Sequence, residues 1–265
     1  MQNALKPALE PALKPGVRFA HGRWARVLPV LLLVCLWQVL ALVLKNQTLP
    51  PPSAVLSTLW QELHSGDLLF HLGMTLRRVA LSFTAAMLIG VTLGILMGNS
   101  KSWDRLLDTF LILGLNIPAL VIIILCYIWF GLTETAAVIA VTLNKIPMVA
   151  VSLREGARAV DKKLLQVAGV YRLSRRDTFF KVYLPQLTPY LFGSARNGLA
   201  LIWKIVLVVE LLGRSNGVGF QIGSYFHFFD ITGILAYTLA FALVIFGIEA
   251  LLLRPLESHL NRWRT

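Results

Sequence analysis

The stretch Arg154–Tyr190 reads REGARAVDKKLLQVAGVYRLSRRDTFFKVYLPQLTPY and lies between two long apolar runs. It holds eight basic residues, so it is too polar for the lipid core. Its apolar side chains recur at helical spacing, and Gly169 and Ser174 near the middle predict two short helices around a turn. We expect Pro185 and Pro189 to end the second helix, because proline lacks the N–H donor. The pattern favours a helical docking surface at a membrane face.

The rest of the chain is dominated by apolar residues. The 265 residues are 57% hydrophobic, with a mean hydropathy of +0.70. Several runs reach the ~20 residues that cross a bilayer about 30 Å thick. We therefore predict an all-α, polytopic membrane protein whose membrane domain, residues 27–265, follows a polar tail, residues 1–26. Cys35 and Cys126 both lie in apolar runs, which argues against a disulfide framework.

Six transmembrane helices are predicted, at about residues 27–44, 79–97, 109–130, 136–153, 191–212 and 231–253. A basic tail before an apolar run is also typical of a signal peptide. The first run is long, however, and Lys45-Asn46-Gln47 follows it in place of a small-residue cleavage site, which favours a retained anchor. A short amphipathic helix, residues 54–63, is expected before the second span.

The formal charge of +12 has an explanation that needs no nucleic acid. Membrane proteins collect lysine and arginine on their cytoplasmic side. With the N-terminus inside, eighteen of the 25 basic residues fall in inner segments and four in outer loops. The distribution predicts a membrane protein whose two termini and central segment are cytoplasmic.

Two features of the predicted spans concern helix packing. Gly90, Gly94 and Gly98 lie four residues apart, which places them on one helix face and permits close approach of another helix. Asn116 and Pro118 interrupt the third span. Lipid tolerates such an interruption only where neighbouring groups or a cavity satisfy the freed backbone.

Charged side chains within the spans indicate a candidate translocation path. Lys145 and Lys204 have no acidic residue three or four positions away, so no local ion pair neutralises them. Arg196, Trp203 and Glu210 repeat every seven residues and share one face. The hypothesis is that spans three to five line the path and that the lysines attract an anion. Alternatively, the lysines pair with Glu210 or with backbone carbonyls. The full candidate set is Asn116, Pro118, Lys145, Arg196, Trp203, Lys204 and Glu210.

The central segment resembles the coupling loop of bacterial ABC importer permeases. That family has Glu-Ala-Ala, then a glycine, then Leu-Pro, with nineteen residues from Glu to Pro; here Gln166-Val167-Ala168 and Leu184-Pro185 keep the spacing. Other segments resemble the nitrate, taurine and aliphatic-sulfonate branch: Leu49-Pro50-Pro51-Pro52, Trp129-Phe130-Gly131, Pro147, Arg196, Trp203, Glu210-Leu211-Leu212-Gly213 and Gly217-Val218-Gly219.

The resemblance implies a type I ABC importer permease fold and a non-catalytic subunit. Its implied partners are an ABC ATPase dimer on the cytoplasmic side, a periplasmic or lipid-anchored solute-binding protein, a second permease copy (identical or similar), and membrane lipid. No cofactor is implied in this chain, since ATP-Mg belongs to the ATPase. The residues implied in coupling are Gln166, Ala168, Gly169, Arg172, Leu184 and Pro185.

Two positions depart from the family pattern. Gln166 replaces the family's glutamate, and Arg172 replaces its turn glycine, which permits a left-handed backbone. Gly169 could move the turn. In this interpretation Ala168 permits close approach, while Phe179 and Leu184 anchor the helix pair to the membrane bundle. The alternative interpretation is a solvated basic loop beneath anionic lipid.

Other function classes have less support. The chain has no Gly-rich phosphate loop ending in Lys-Ser/Thr, and no catalytic cluster appears, which counts against a membrane enzyme. Only His64 and His71 lie near each other in sequence, and no metal site is expected. An ion-coupled secondary carrier is the alternative function; it commonly has paired broken helices, and only one broken segment, near Asn116, is seen.

Overall fold

A computed structural model describes residues 23–44, 48–253 and 255, and its regular elements there are all helices. The prediction of an all-α chain is thus confirmed. The predicted tail up to residue 22, Lys45 and the basic residues from Arg254 onward lie outside the described ranges. The helices are α1 (Arg23–Leu44), α2 (Pro52–Ser65), α3 (Asp67–Asn99), α4 (Lys101–Asn116), α5 (Ala119–Phe130), α6 (Glu134–Arg158), α7 (Lys162–Val170), α8 (Arg175–Thr178), α9 (Leu184–Gly213), α10 (Val218–His227) and α11 (Ile231–Ile248), with π-helical turns at Phe179–Tyr183 and Glu249–Leu253.

The described helices differ in length and in apolar character, and these two properties decide whether a helix can cross a membrane. Three are long and apolar enough: Asp67–Asn99, Glu134–Arg158 and Ile231–Leu251. The pair α4 and α5 adds a fourth crossing if it is one span, although it bends by 100°. The apolar part of α1, Leu28–Leu44, is shorter, and the long helix α9 carries Arg196, Lys204 and Glu210. The count of six spans stays a prediction.

The chain forms two units, residues 1–54 and 55–265, and the larger unit is built around α6. The glycine stripe of α3 packs on α6: a Cβ added to Gly90 would lie 2.6 Å from Val149 Cβ, and one added to Gly94 would lie 2.5 Å from the Ala150 carbonyl oxygen. This confirms the predicted close approach. On its other side α6 contacts α9, and the buried core continues through Ile202 to Tyr237 of α11.

Two predicted boundaries are corrected by the structure. The helix that holds the second span begins at Asp67, well before residue 79, because its first turns are buried through Leu68 and Leu72. The third span is not one helix. Asn116 ends α4, with its side-chain amide donating to the Ile112 carbonyl at 2.7 Å, and Pro118 precedes α5.

The prediction that Pro185 and Pro189 end the second short helix is wrong. Instead, α8 runs through the π-helical turn directly into α9, which begins at Leu184. Pro185 lies in the first turn of α9, directly after the π-helical turn, and Pro189 lies inside the helix. The Leu184 N–H donates to the Phe179 carbonyl, so the wider π turn joins the two helices.

Candidate functional site

The coupling segment, residues 154–190, is a helix–turn–helix closed by backbone and side-chain hydrogen bonds. The Asp161 carboxylate caps α7 by accepting from the Lys163 N–H at 2.8 Å. The Asp161 N–H in turn donates to Gln186 Oε1 at 2.8 Å, which fastens the start of α7 to α9. After the turn, the Ser174 hydroxyl caps α8 by accepting from the Asp177 N–H at 3.0 Å. A helix is therefore present on each side of the predicted turn, although the second continues into the long helix α9.

The turn lies at Arg172, while Gly169 is inside α7. The Leu173 N–H donates to the Ala168 carbonyl and the Arg172 N–H to the Gly169 carbonyl, both at 3.0 Å. These are the two bonds of a Schellman motif, in which the residue after the helix takes a left-handed backbone. Arg172 does so with φ 51°, at a cost of roughly 1 kcal/mol for a residue with a Cβ.

A hollow of about 510 Å³ lies between α7 and the helix that follows it. Tyr171, which lines this hollow, is 76% accessible, and its chain neighbour Val170 is 82% accessible. Ala168 is buried, whereas Gln166 and Arg172 are exposed and Leu184 is half-buried. The lining comprises Leu164, Val167, Ala168, Tyr171, Leu173, Lys181, Val182, Pro185 and Gln186. Exposed apolar surface of this kind is typical of a contact site for another protein or for a membrane surface.

The coupling segment is fixed to the membrane helices. Tyr183 accepts a 2.7 Å hydrogen bond from the Asn99 amide at the end of α3. Tyr183 and Leu187 are buried against Ala157 and Val160, which lie at the end of α6 and just beyond it. Phe179 stacks on Tyr183, with ring centroids 5.7 Å apart. These contacts attach the segment to the ends of α3 and α6 and to the start of α9.

Charges within the coupling segment are mostly unpaired. Lys181 forms a 2.6 Å ion pair with Asp177, and this hydrogen bond holds the pKa of the Asp177 carboxyl below its ordinary value. Arg154 and Arg158 pair with Asp104 and Asp108 of α4. Among the described residues, the other basic side chains of the segment form no ion pair: Lys162, Lys163, Arg172, Arg175 and Arg176. The exposed face is accordingly basic as well as apolar.

At the opposite end of the bundle, Arg78 of α3 forms a buried charge network. Arg78 is 2% accessible, and its Nη1 donates to Glu210 Oε1 at 2.6 Å. Its Nε and Nη2 donate to the Glu134 carboxylate at 2.9 and 2.6 Å. Arg214 also donates to Glu134, at 2.8 Å. Two arginines and two glutamates thus balance in charge, which makes their burial tolerable.

Glu210 is fully buried and fixes the loop that follows α9. Its second oxygen, Oε2, accepts from the Thr75 hydroxyl and from the Gly219 N–H, each at 2.9 Å. Nearby, His71 Nδ1 accepts from the Gly217 N–H at 2.9 Å. A Cβ at Gly217 would collide with the Glu210 carboxylate, so the Gly217-Val218-Gly219 motif is explained by close approach to this side chain.

Sequence reasoning missed Arg78. Its partners Glu134 and Glu210 lie 56 and 132 residues away in the chain, so no local spacing reveals the pairs. The sequence did contain one signal for this network. Arg78, Glu134, Glu210 and Arg214 all lie near the ends of predicted spans that face the same side of the membrane. Glu210, a candidate path residue, is placed in this network. The alternative in which Glu210 pairs with the lysines is not what the structure shows.

Lys145 lies buried between α6 and α9. It is 2% accessible, and its Nζ lies 2.7 Å from the Met148 sulfur, a weak acceptor. A Cβ at Gly198 would lie 3.4 Å from Lys145 Cε, which places α9 directly opposite. The hydroxyls of Thr142 and Ser194 are buried without a hydrogen-bond partner. Within the described residues, Lys145 has no carboxylate partner.

The remaining path candidates occupy different surroundings. Lys204 is exposed. Trp203 is buried with its ring edge-on to Phe241, 5.8 Å between centroids. Arg196 pairs with Glu249 at 3.2 Å. Asn116 and Pro118 form the bend between α4 and α5. No group of three potential metal ligands occurs in the described ranges.

Comparison with known proteins agrees with this architecture. The chain is 31% identical over 252 residues to the putative aliphatic sulfonates transport permease protein SsuC of Bacillus subtilis (strain 168), covering 94% of this chain and 91% of that protein. It is 32% identical over 238 residues to the taurine transport system permease protein TauC of Escherichia coli (strain K12), covering 88% and 86%. It is 31% identical over 179 residues to the nitrate import permease protein NrtB of Synechocystis sp., covering 68% and 63%.

Solved structures share the fold. A chain of the MetNI methionine ABC transporter in an inward-facing conformation superposes with a TM-score of 0.64 at 16% identity, covering 76% of this chain and 99% of that one. A second crystal form gives a TM-score of 0.61 at 17% identity, covering 71% and 94%. The type I permease fold is thereby confirmed. Residues 90–254 match the family described as binding-protein-dependent transport system inner membrane component, and the chain therefore belongs to that family of non-catalytic ABC transporter permease subunits.

Proposed function

We propose that this permease forms the translocation path of an importer for a small anionic solute, and that segment 154–190 transmits the work of a separate ATPase subunit to the path. The observation that carries the proposal is the coupling segment. It combines an exposed apolar hollow with rigid attachment to α3, α6 and α9. A helix pair seated in a partner transmits motion when its own attachment does not yield.

The assembly has further proposed members. A second permease copy, identical or similar, completes the path, and a periplasmic or lipid-anchored binding protein delivers the solute to the face that carries the Arg78 network. ATP-Mg binds in the ATPase dimer. Both termini are proposed to be cytoplasmic, since this orientation places the basic coupling segment inside.

Co-purification tests the role of the coupling segment. The full chain is expressed together with a candidate ABC ATPase subunit, and the isolated complex is reconstituted in vesicles. We expect a stable complex and solute uptake that requires ATP hydrolysis. Uptake at full rate without any ATPase would instead support an ion-coupled carrier and overturn the proposal.

The anionic solute is proposed from two observations. The relatives named above are called sulfonate, taurine and nitrate permeases, and these solutes carry an anionic group. In addition, Lys145 is a cation buried in the bundle interior without a carboxylate partner in the described residues, and two unpartnered hydroxyls lie on the facing helices. A desolvated ammonium is stabilised by an arriving anion.

Lysine substitutions test the solute proposal. Because Lys145 is the buried cation, Lys145→Met is expected to lower uptake of the native anion about tenfold while ATP hydrolysis continues. Lys204→Met, on the exposed face, is expected to lower it less, and Lys101→Met serves as a control for loss of one charge. Uptake is measured with radiolabelled solute at equal ATPase activity. Unchanged uptake by Lys145→Met would remove Lys145 from the path.

A further inference from the structure

Arg172 adopts a backbone conformation that its residue type disfavours. Its φ of 51° lies in the left-handed region, and it occupies the position after α7 that is most often glycine. The chain has a glycine three residues earlier, yet Gly169 remains helical and faces open space. The turn was therefore not moved to the residue that would adopt it without strain.

Nothing within the described part of the chain accounts for an arginine here. Its side chain is exposed, and no described carboxylate pairs with it. The nearest acidic residue that follows it, Asp177, is engaged by Lys181 and by the Ser174 hydroxyl. The Schellman bonds involve only the Arg172 backbone, so a glycine would form them equally well.

The surroundings of Arg172 indicate what it contacts. Val170 and Tyr171 immediately before it are among the most exposed apolar side chains of the described chain, and Leu173 after it lines the hollow. Arg172 is thus exposed and flanked by exposed apolar side chains, in a segment where most of the described basic side chains form no ion pair. Guanidinium groups at the edge of such surfaces pair with carboxylates in two-point geometry.

We propose that Arg172 is a specificity-determining contact that pairs with a carboxylate on the ATPase subunit. Beside this carboxylate, an apolar depression of the ATPase accepts Val170 and Tyr171. This inference rests on the function proposed above. It gives the partner surface a defined chemistry: an apolar depression with at least one acidic side chain at its rim. A glycine at the turn loses this pair although it relaxes the backbone.

The two effects of Arg172→Gly have opposite signs, which makes the test decisive. The thermal midpoint of the isolated permease should stay equal or rise, because the strain at the turn is removed. Its affinity for the co-purifying ATPase subunit should fall about tenfold, as for loss of one charge-assisted interface pair. Arg172→Glu should weaken binding further, since it places like charges together. Lys101→Gln, outside the segment, should bind as the native chain does.

Binding is measured in nanodiscs at several salt concentrations. We expect the salt dependence of the dissociation constant to become shallower in Arg172→Gly, because an ion pair has been lost. If Arg172→Gly binds as tightly as the native chain, the inference is wrong while the proposed function stands. If the native chain binds no ATPase subunit, the proposed function itself fails.

Discussion

Arg78 and Glu210 illustrate how single residues fix one end of this bundle. Each is almost completely buried, and together with Glu134 and Arg214 they balance in charge. Buried ion pairs contribute little net stability compared with apolar packing, but removal of one partner leaves an uncompensated charge. The pairs therefore define which loop and helix ends meet.

The charge balance of the network around Arg78 can be tested by substitution of Glu210. Glu210→Gln leaves one net positive charge buried, so we expect the free energy of unfolding to fall by about 3 kcal/mol. The thermal midpoint in detergent measures this, and Arg78→Met combined with Glu210→Gln should recover part of the loss. Arg77→Gln is the matched control, because Arg77 is exposed next to Arg78. An unchanged midpoint for Glu210→Gln would contradict the prediction.

Single residues were also the hardest features to predict from sequence. The charges of Lys145 and Glu210 could be recognised in apolar runs, but their partners could not, because these come from distant parts of the chain. For Arg172, the sequence motif was recognised but the local backbone conformation was not. The resemblance implied a left-handed turn at Arg172 or, if moved, at Gly169, and only the backbone showed that the arginine itself adopts it.

At the scale of elements, the packing of α3 on α6 organises the larger unit. The stripe of Gly90, Gly94 and Gly98 was recognisable because its period of four matches one helix face. The neighbour was not identifiable, since any span could in principle supply it. The end of the second short helix was predicted wrongly at Pro185 and Pro189, because the π-helical turn before Pro185 lets the helix continue.

The close approach of α3 to α6 can be tested by substitution of Gly94. A Cβ at Gly94 would lie 2.5 Å from the Ala150 carbonyl oxygen and 2.6 Å from Leu153 Cβ, so the two helices must separate. We expect Gly94→Ala to destabilise the fold by about 1–3 kcal/mol.

Gly73→Ala is the matched control on the same helix, because nothing lies within 4 Å of its added Cβ. It should leave stability unchanged or raise it by about 0.5–1 kcal/mol through helix propensity. Melting of both variants in the same detergent makes the comparison. Equal midpoints would show that the α3–α6 contact yields without cost.

For the whole molecule, composition was the strongest guide. The apolar runs identified a polytopic helical membrane protein, and the resemblance of the central segment identified the family. What composition could not give is the shape of each crossing. The 100° bend between α4 and α5 lies at Asn116 and Pro118. There the Asn116 amide donates back to the Ile112 carbonyl of its own helix and Pro118 has no N–H, and the hydropathy of the segment describes neither.

The proposed orientation of the chain in the membrane can be tested by cysteine labelling. Lysine and arginine are concentrated in the segments proposed to be cytoplasmic, so Tyr171 and Phe228 should lie on opposite sides of the membrane. In a Cys35→Ser background, Phe228→Cys should react with an impermeant maleimide in intact cells. Tyr171→Cys should react only after the membrane is opened. Cys126 is buried and gives a low background. Labelling with the reverse pattern would contradict the proposed orientation.

The π-helical turn at Phe179–Tyr183 affects how the direction of α8 can change during evolution. Such a turn accommodates one residue more than a regular α-turn, and each residue of an α-helix advances by about 100°. Loss of one codon here would rewind the junction into ordinary helix and rotate α8 by that angle about the axis of α9. A one-residue deletion can thus re-aim α8 and the turn before it, the surface proposed to contact the ATPase, without any substitution in the long helices.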